Sequence, residues 1–113
     1  KDLNETSVVV KVTYGDVCAL FTGDIPLEIL ETLVSGKCDV LKVGHHGSKT
    51  GTNTKILDVL GPKLAVIQVG KNSYGHPNKE VLDILTGHGA KVLRNDFEGT
   101  IELDVDERGI NII

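Results

Sequence analysis

Short aliphatic runs that alternate with segments of helical periodicity constrain the fold of this chain more than any other feature of its sequence. Val8, Val10 and Val12 alternate with other residues, which predicts a strand with one better-buried face. After a Gly-Asp turn, the continuous apolar run 17–21 predicts a buried strand that pairs with the first. The chain is therefore expected to begin with a hairpin.

Leucine, isoleucine and valine at helical spacing recur in later segments. One segment begins at Pro26 and ends at Gly36, and the other two cover 52–60 and 78–86. Strands are predicted between and after these helices, at 39–43, 64–69, 91–93, 99–105 and 110–113. The order β-β-α-β-α-β-α-β-β-β predicts an α/β fold whose sheet is at least partly parallel.

The composition is that of a soluble globular domain, with 40% hydrophobic and 25% charged residues. No apolar run approaches the roughly 20 residues needed to cross a bilayer, so this segment is not expected to span a membrane. The formal net charge is -4 and no basic run is present, which argues against a plain DNA-binding protein. A nuclease remains compatible with this charge, because bound metal cations supply local positive charge.

The two cysteines, Cys18 and Cys38, lie in apolar surroundings and form no Cys-x-x-Cys motif. A structural zinc ribbon is therefore not expected, and both are predicted to be small buried hydrophobic residues that fix no redox compartment. The chain also lacks methionine and opens on Lys1 without a targeting segment. We therefore expect it to be a piece of a longer protein.

Polar segments follow predicted strands at 22–24, 44–48 and 74–77. Because ligands bind at the carboxyl ends of strands in α/β sheets, we expect these segments to converge. Their chemistry-bearing residues are Asp24, His45, His46 and His76. Imidazole and carboxylate groups bind zinc and manganese, and one carboxylate can bridge two cations in a site that cleaves phosphodiesters.

Each of these residues also has a simpler interpretation. Asp24 precedes a helix and is equally suited to capping it. The adjacent pair His45 and His46 is flanked by glycines that let the backbone approach a ligand, which favours a functional role. His76 alone carries little weight, and His88 is predicted to be a solvated residue at a helix end.

At these same residues the sequence resembles the metallo-β-lactamase-like domain of the ComEC competence family. The resemblance rests on the segments 4–9, 20–24, 39–48 and 69–77, and the segments 89–92 and 96–101 also fit. Its most specific part is the combination of His-His-Gly-Ser at 45–48 with Tyr-Gly-His-Pro at 74–77. It implies that residues 1–113 are the C-terminal half of an αββα sandwich, a mixed sheet with helices on one face.

The resemblance also implies a role for each matched residue. Asp24 resembles a metal-bridging carboxylate and His46 a metal ligand, while His45 and His76 resemble catalytic histidines and Ser48 a substrate-binding residue. The complete domain would hold two divalent ions, zinc or manganese. Its implied function is metal-dependent phosphodiester cleavage during DNA uptake, with single-stranded DNA as substrate. Two alternatives stay open: hydrolysis of another ester, and a non-catalytic assembly or binding module of a DNA-uptake channel.

One motif of that superfamily, His-x-(His or Asp)-x-Asp-His, is absent from the sequence. It belongs to the N-terminal half of the domain, which would be the principal partner of this segment. The isolated segment is therefore expected to be inactive and to dimerise or swap. The resemblance further implies a membrane-attached parent protein with this domain outside the cytoplasm.

Overall fold

The structure, a computed structural model, describes residues 8–44, 47–48, 50–69, 77–106 and 109–113. The strands are β1 (Val10–Tyr14), β2 (Val17–Phe21), β3 (Val40–Lys42), β4 (Leu64–Ile67), β5 (Lys91–Arg94), β6 (Leu103–Asp106) and β7 (Gly109–Ile112). The helices are α1 (Leu27–Leu33), α2 (Thr54–Leu60), α3 (Lys79–Gly87) and the short α4 (Asn95–Glu98).

The main sheet has five strands in the order β1-β2-β3-β4-β5. Strand β1 is antiparallel to β2, whereas β2 to β5 run parallel. In this register Phe21 pairs with Lys42, and Lys42 pairs with Val66. Paired residues of neighbouring strands point to the same face of a sheet, so these three side chains form one row across it.

Helices α1 to α3 cover one face of this sheet. The cluster between them contains Leu41 and Ile67 from the strands together with Leu30, Leu57 and Leu85 from the helices, all nearly inaccessible to solvent. Burial of a leucine or isoleucine side chain contributes about 1.5 to 3 kcal/mol, so this aliphatic layer is a main source of stability.

The opposite face of the sheet is covered only in part. The hairpin of β6 and β7 packs Leu103 and Ile110 against Val40, Leu64 and Leu93. Across β1 and β2 the same face stays open to solvent, with exposed side chains at Val10, Val12, Tyr14 and Phe21. One side of the sheet is thus a core, and the other is half surface.

The α/β class and the mixed sheet are confirmed, while the αββα sandwich stays a prediction. Among the described residues no helix is long and apolar enough to cross a membrane. The prediction of one better-buried face for the first strand is wrong, since Val8, Val10 and Val12 are 72%, 43% and 51% exposed. Strand β1 lies at the edge of the sheet, and all five of its residues are exposed.

Two further differences concern the second half of the chain. A single helical turn, α4, separates β5 from β6. The sequence does not predict it, because four residues are too few to show a helical period. The strand predicted at 99–105 is correspondingly shorter and begins at Leu103. The loop predicted at 70–77 lies almost wholly outside the described residues.

The cysteines are buried as predicted, but they are not independent. Cys18 on β2 and Cys38 before β3 form a disulfide across a separation of 20 residues, and the structure describes no free cysteine. The parallel pairing of β2 with β3 brings their starting ends together, which the sequence spacing alone does not reveal. The bond closes the segment that carries α1 and the loop around Asp24.

Candidate functional site

Loops that follow β2 and β3 meet at the carboxyl edge of the sheet. A Cβ atom at Gly44 would lie 2.6 Å from the carbonyl oxygen of Gly23 and 3.1 Å from Thr22 Oγ1. Real Cβ atoms do not approach backbone oxygens so closely, so glycine at position 44 permits the contact. We call this contact region, residues 22–24, 44, 47–48 and 50–52 together with Pro77, the loop junction.

The segment that leads into α3 joins the same junction. Gly47 has a φ of +81°, and a Cβ there would lie 2.6 Å from the Cβ of Pro77. The amide of Asn78 donates to the carbonyl oxygen of Gly47 over 2.7 Å. The predicted convergence of strand-end segments is therefore confirmed for the backbone of the described residues.

The predicted site residues are described only in part. Asp24 is half-buried in the loop after β2, and Pro26, not Asp24, is the N-cap residue of α1. Ser48 is half-buried, and its Oγ lies 3.0 Å from Thr50 Oγ1. His45, His46 and His76 lie outside the described residues, so their roles stay predictions.

The described part of the junction offers few metal ligands. No group of three or more His, Cys, Asp or Glu side chains occurs among the residues that the structure describes. A catalytic zinc usually takes three protein ligands, and Asp24 is the carboxylate at this place. The predicted zinc or manganese site therefore depends on His45, His46 and His76, which lie outside the described residues, and it stays a prediction.

Two buried threonines at the junction were not singled out from the sequence. Thr22 is 1% exposed and donates from Oγ1 to the carbonyl oxygen of Lys42 over 3.1 Å, which ties the end of β2 to β3. Thr52 is 2% exposed, and its Oγ1 has no hydrogen-bond partner within the described chain. The sequence offers one weak signal for each: Thr22 directly follows an apolar strand, and Thr52 directly follows Gly51.

His88 was expected to be solvated, but it connects two helices. Its Nδ1 lies 2.8 Å from the carbonyl oxygen of Ile84, and its Nε2 lies 2.9 Å from Asp58 Oδ1 on α2. The backbone hydrogen bond to Ile84, followed by the bond to Asp58, raises the pKa of His88 above its ordinary value. The residue is therefore a tether between α2 and the end of α3, remote from the loop junction.

A groove of about 600 Å³ opens on the helix-free face at the carboxyl ends of the strands. We call it the sheet groove; its lining includes Phe21, Lys42, Val66, Gln68, Asn95 and Thr100. Lys42 and Phe21 are neighbours in the row across β2 and β3, and Phe21 is 46% exposed. No acidic side chain is among the described residues that line it.

A second cavity, of about 660 Å³, lies at the amino ends of the same strands. We call it the acidic cavity because Asp16, Asp39 and Asp106 line it, together with Lys63. Asp39 accepts a hydrogen bond from the amide of Cys18 over 2.9 Å and forms an ion pair with Lys63 at 3.7 Å. The charges of Asp39 and Lys63 at this end are therefore engaged with the protein itself.

Comparison with known proteins finds sequence similarity to several others. The chain is 41% identical over 104 residues to ComE operon protein 3 of Bacillus subtilis (strain 168), which covers 88% of the chain and 13% of that protein. It is 35% identical over 116 residues to Competence protein ComA of Neisseria gonorrhoeae, covering 96% of the chain and 17% of that protein. It is 34% identical over 104 residues to Recombination protein 2 of Haemophilus influenzae, covering 89% of the chain and 13% of that protein.

These comparisons correct the family expected from the sequence. One relative is named as a ComE operon protein, one as a competence protein and one as a recombination protein. None is named as a ComEC-type metallo-β-lactamase-like domain, and no family model matches the chain. The family predicted from the sequence is therefore wrong. The chain spans less than a fifth of the length of these relatives, so it corresponds to one segment of each.

Proposed function

We propose that the chain is a non-catalytic module of a DNA-uptake apparatus that acts in natural competence. The observation that carries this proposal is the similarity along most of the chain to Competence protein ComA, at 35% identity, and to ComE operon protein 3, at 41%. The open sheet groove supports it, because a concave surface with a cation and an exposed ring is suited to binding. The role in DNA uptake is inferred for the longer protein of which such a segment would be part.

A second candidate is metal-dependent hydrolysis of a phosphodiester at the loop junction. The convergence of the loops around Gly44 and Gly47 favours it, because several elements then contribute to one place at the carboxyl edge of the sheet. In this candidate Asp24 and His46 bind divalent metal, which would activate water. His45 and His76 stabilise the developing charge of the phosphate, and Ser48 binds the substrate.

A segment-replacement experiment distinguishes the two candidate functions. In this graft, the matching segment of ComE operon protein 3 in Bacillus subtilis is replaced by this chain, and transformants per cell are counted. We expect transformation to persist in the graft and in its Asp24→Asn and His46→Ala variants. Asp16→Asn, in the exposed β1–β2 turn, is the control for removal of a carboxylate.

The outcomes of the graft have distinct meanings. Loss of transformation in Asp24→Asn and His46→Ala, with normal protein levels and a normal Asp16→Asn control, would support the hydrolase instead. Failure of the unmodified graft, at normal protein level, would overturn the competence role. A cleavage assay on labelled single-stranded DNA with Mn²⁺ or Zn²⁺ gives the same distinction in vitro, where the hydrolase alone predicts metal-dependent products.

We also propose that this segment resides outside the reducing cytoplasm. The disulfide between Cys18 and Cys38 supports this location, because disulfides persist in oxidising compartments. Trapping of free thiols with a maleimide-polyethylene glycol reagent in denatured extracts is the test. Protein from growing cells should gain no mass unless a reductant is added first, whereas two added reagents without reductant would place the segment in the cytoplasm.

A further inference from the structure

We propose that the disulfide between Cys18 and Cys38 is a redox lock that holds one edge of the fold in place, together with part of the loop junction. This edge consists of β1, β2 and α1, which we call the edge unit, whereas β3 to β5 with α2 and α3 form the central unit. When the disulfide is reduced, the edge unit opens and the central unit stays folded. The inference rests on the proposed location of the segment outside the reducing cytoplasm.

The first support is that the disulfide connects the two units covalently. Cys18 lies on β2, and Cys38 lies directly before Asp39 and β3. The chain between the two cysteines is the crossover that carries α1, so the bond closes this crossover into a loop. If the edge unit opens while the bond is intact, the closed loop gains less conformational entropy than an open chain would. The bond therefore opposes this opening directly.

The second support is that one strand pairing attaches the edge unit to the sheet. Strand β1 neighbours β2 alone in the described sheet, and β2 pairs with β3 along three residue pairs. Two hydrogen bonds reinforce this pairing, one from Thr22 to the carbonyl oxygen of Lys42 and one from the amide of Cys18 to Asp39. Strand β4, by contrast, is paired on both sides within the central unit. Separation of β2 from β3 thus releases the whole edge.

The third support is the weak anchoring of α1. This helix begins after Pro26, which makes no side-chain capping hydrogen bond, and Leu30 is its buried residue. Helix α2 is capped by the side chain of Asn53 and buries three residues. The amide group of Asn53 also donates to Glu31 on α1 over 2.7 Å, in a partly exposed hydrogen bond. Because a helix of seven residues is not stable by itself, α1 depends on the attachment of the crossover that carries it.

The loop junction is divided between the two units. Residues 22–24 follow β2, whereas Gly44, Gly47 and Pro77 belong to the chain of the central unit. The close approach of Gly44 to the carbonyl oxygen of Gly23 exists only while the edge unit is docked. A bond at the amino ends of the strands therefore controls the assembly of loops at their carboxyl ends.

Closure of the lock is a thiol–disulfide exchange with a protein or small-molecule disulfide as oxidant. One cysteine thiolate attacks a sulfur of that disulfide, and the other thiolate then displaces the oxidant from the mixed disulfide. Two electrons and two protons pass from the cysteines to the oxidant, whose two sulfurs leave as thiols. Because Cys18 and Cys38 are 6% and 3% exposed, exchange in either direction takes place while the edge unit is open.

Hydrogen exchange of backbone amides, followed by NMR on the 113-residue chain, tests the lock. Reduction with dithiothreitol should raise the exchange rates of β2 and α1 roughly 100-fold, the effect of releasing a closed loop of this length. In the reduced protein these amides should exchange on the order of tenfold faster than those of β4 and α3, and depend less on urea, because the opening exposes less surface than complete unfolding. Cys18→Ser with Cys38→Ser should give the same pattern without reductant.

A matched control weakens the central unit while the disulfide is intact. Val81→Ala removes part of a buried side chain on α3, so it should speed exchange in the central unit and leave the rates of β2 and α1 unchanged. Unchanged rates in β2 and α1 after reduction would overturn the lock, as would a Val81→Ala variant that speeds them as much as reduction does. Equal rates in both units of the reduced protein, or complete loss of protection, would also overturn it and make the disulfide a staple of the whole molecule.

The graft in Bacillus subtilis distinguishes failure of the lock from failure of the proposed function. If the graft supports transformation while both units of the reduced chain exchange at equal rates, the competence role stands and the lock is wrong. If the graft fails at normal protein level while the reduced chain shows faster exchange confined to the edge unit, the lock stands and the competence role is wrong.

Discussion

The two ends of the helix-free face differ in whether their charged side chains are paired within the protein. At the amino ends of the strands, Asp39 is tied to Lys63 and to the amide of Cys18, so its charge is used within the protein. At the carboxyl ends, Lys42 has no ion-pair partner in the described chain and stands beside an exposed ring. The contrast teaches that a net charge of -4 says little about any one surface. Charges that are paired within the protein lie at the amino ends of the strands, and a lysine that is unpaired within the described chain lies at their carboxyl ends.

The largest expected change in stability concerns the amino ends of the strands, where the disulfide lies near the acidic cavity. Closing a loop of this length in the unfolded chain is worth about 3 kcal/mol, so Cys18→Ala with Cys38→Ala should lower the free energy of unfolding by that amount. Urea unfolding measures it. Reduction of the unaltered chain should give the same loss, and an unchanged midpoint would show that the amino end needs no covalent link.

The next effect concerns the carboxyl edge. Gly44→Ala should destabilise the protein by about 1 to 3 kcal/mol, because the new Cβ would contact the backbone oxygen of Gly23. Gly87→Ala is the control, since a Cβ there meets nothing within 4 Å, and it should be neutral or slightly stabilising. Similar urea midpoints for the two variants would contradict the close packing of the loop junction.

The comparison itself is tested by one substitution at each end. Asp39→Asn should cost about 1 kcal/mol of unfolding free energy, because it weakens a charge-assisted hydrogen bond and an ion pair with exposed Lys63. Lys42→Gln should cost almost nothing, since its ammonium group has no ion pair in the described residues. If Lys42→Gln proves the more destabilising change in thermal melts, the charge at the carboxyl end is structural after all.

The smallest expected effect is the pH dependence due to His88. Its pKa is raised in the folded protein, first by the hydrogen bond to Ile84 and then by Asp58, so the protonated form favours folding. This contribution is complete below the unfolded value of about 6.5 and is lost as the pH rises through the higher folded pKa. Because Asp58 is largely exposed and solvent screens its charge, the change should stay below about 1 kcal/mol.

A matched variant isolates that contribution. His88→Gln should remove the decline of stability above pH 6.5, while leaving the stability of the loop junction unchanged. Urea midpoints measured from pH 5 to 8 give the comparison. A decline that persists in His88→Gln would assign the pH dependence to another group.

Much of the fold could be predicted from the sequence, because aliphatic periodicity records which side of each element is buried. The succession along the chain of the strands β1 to β5 and the helices α1 to α3 follows from that pattern. The convergence of the strand-end loops follows from their common place at the carboxyl ends of strands. Exposure of β1 could not be predicted, since alternation does not reveal whether a neighbouring layer exists to cover a strand. The pairing of the cysteines and the turn α4 depend on tertiary contacts, which a local pattern does not contain.

The candidate site was predicted less completely. Glycine-rich segments indicated where the loops meet, and the structure explains Gly44 and Gly47 by contacts that no side chain could occupy. The sheet groove was missed, because Phe21 and Lys42 are 21 positions apart and become neighbours only through parallel pairing. Apolar residues at the ends of strands are interpreted from sequence as core, so an exposed ring there carries no local signal.

Strand β1 borders the main sheet with no further strand outside it in the described chain, and its five residues are all exposed. Backbone groups along such a border can template fibril-like growth when copies of a protein are concentrated. Lys11, the second residue of β1, places a charge on this border that each added copy would have to accommodate. Replacing Lys11 by an aliphatic residue would therefore trade solubility for self-association, which makes it a position to leave intact when the chain is overproduced.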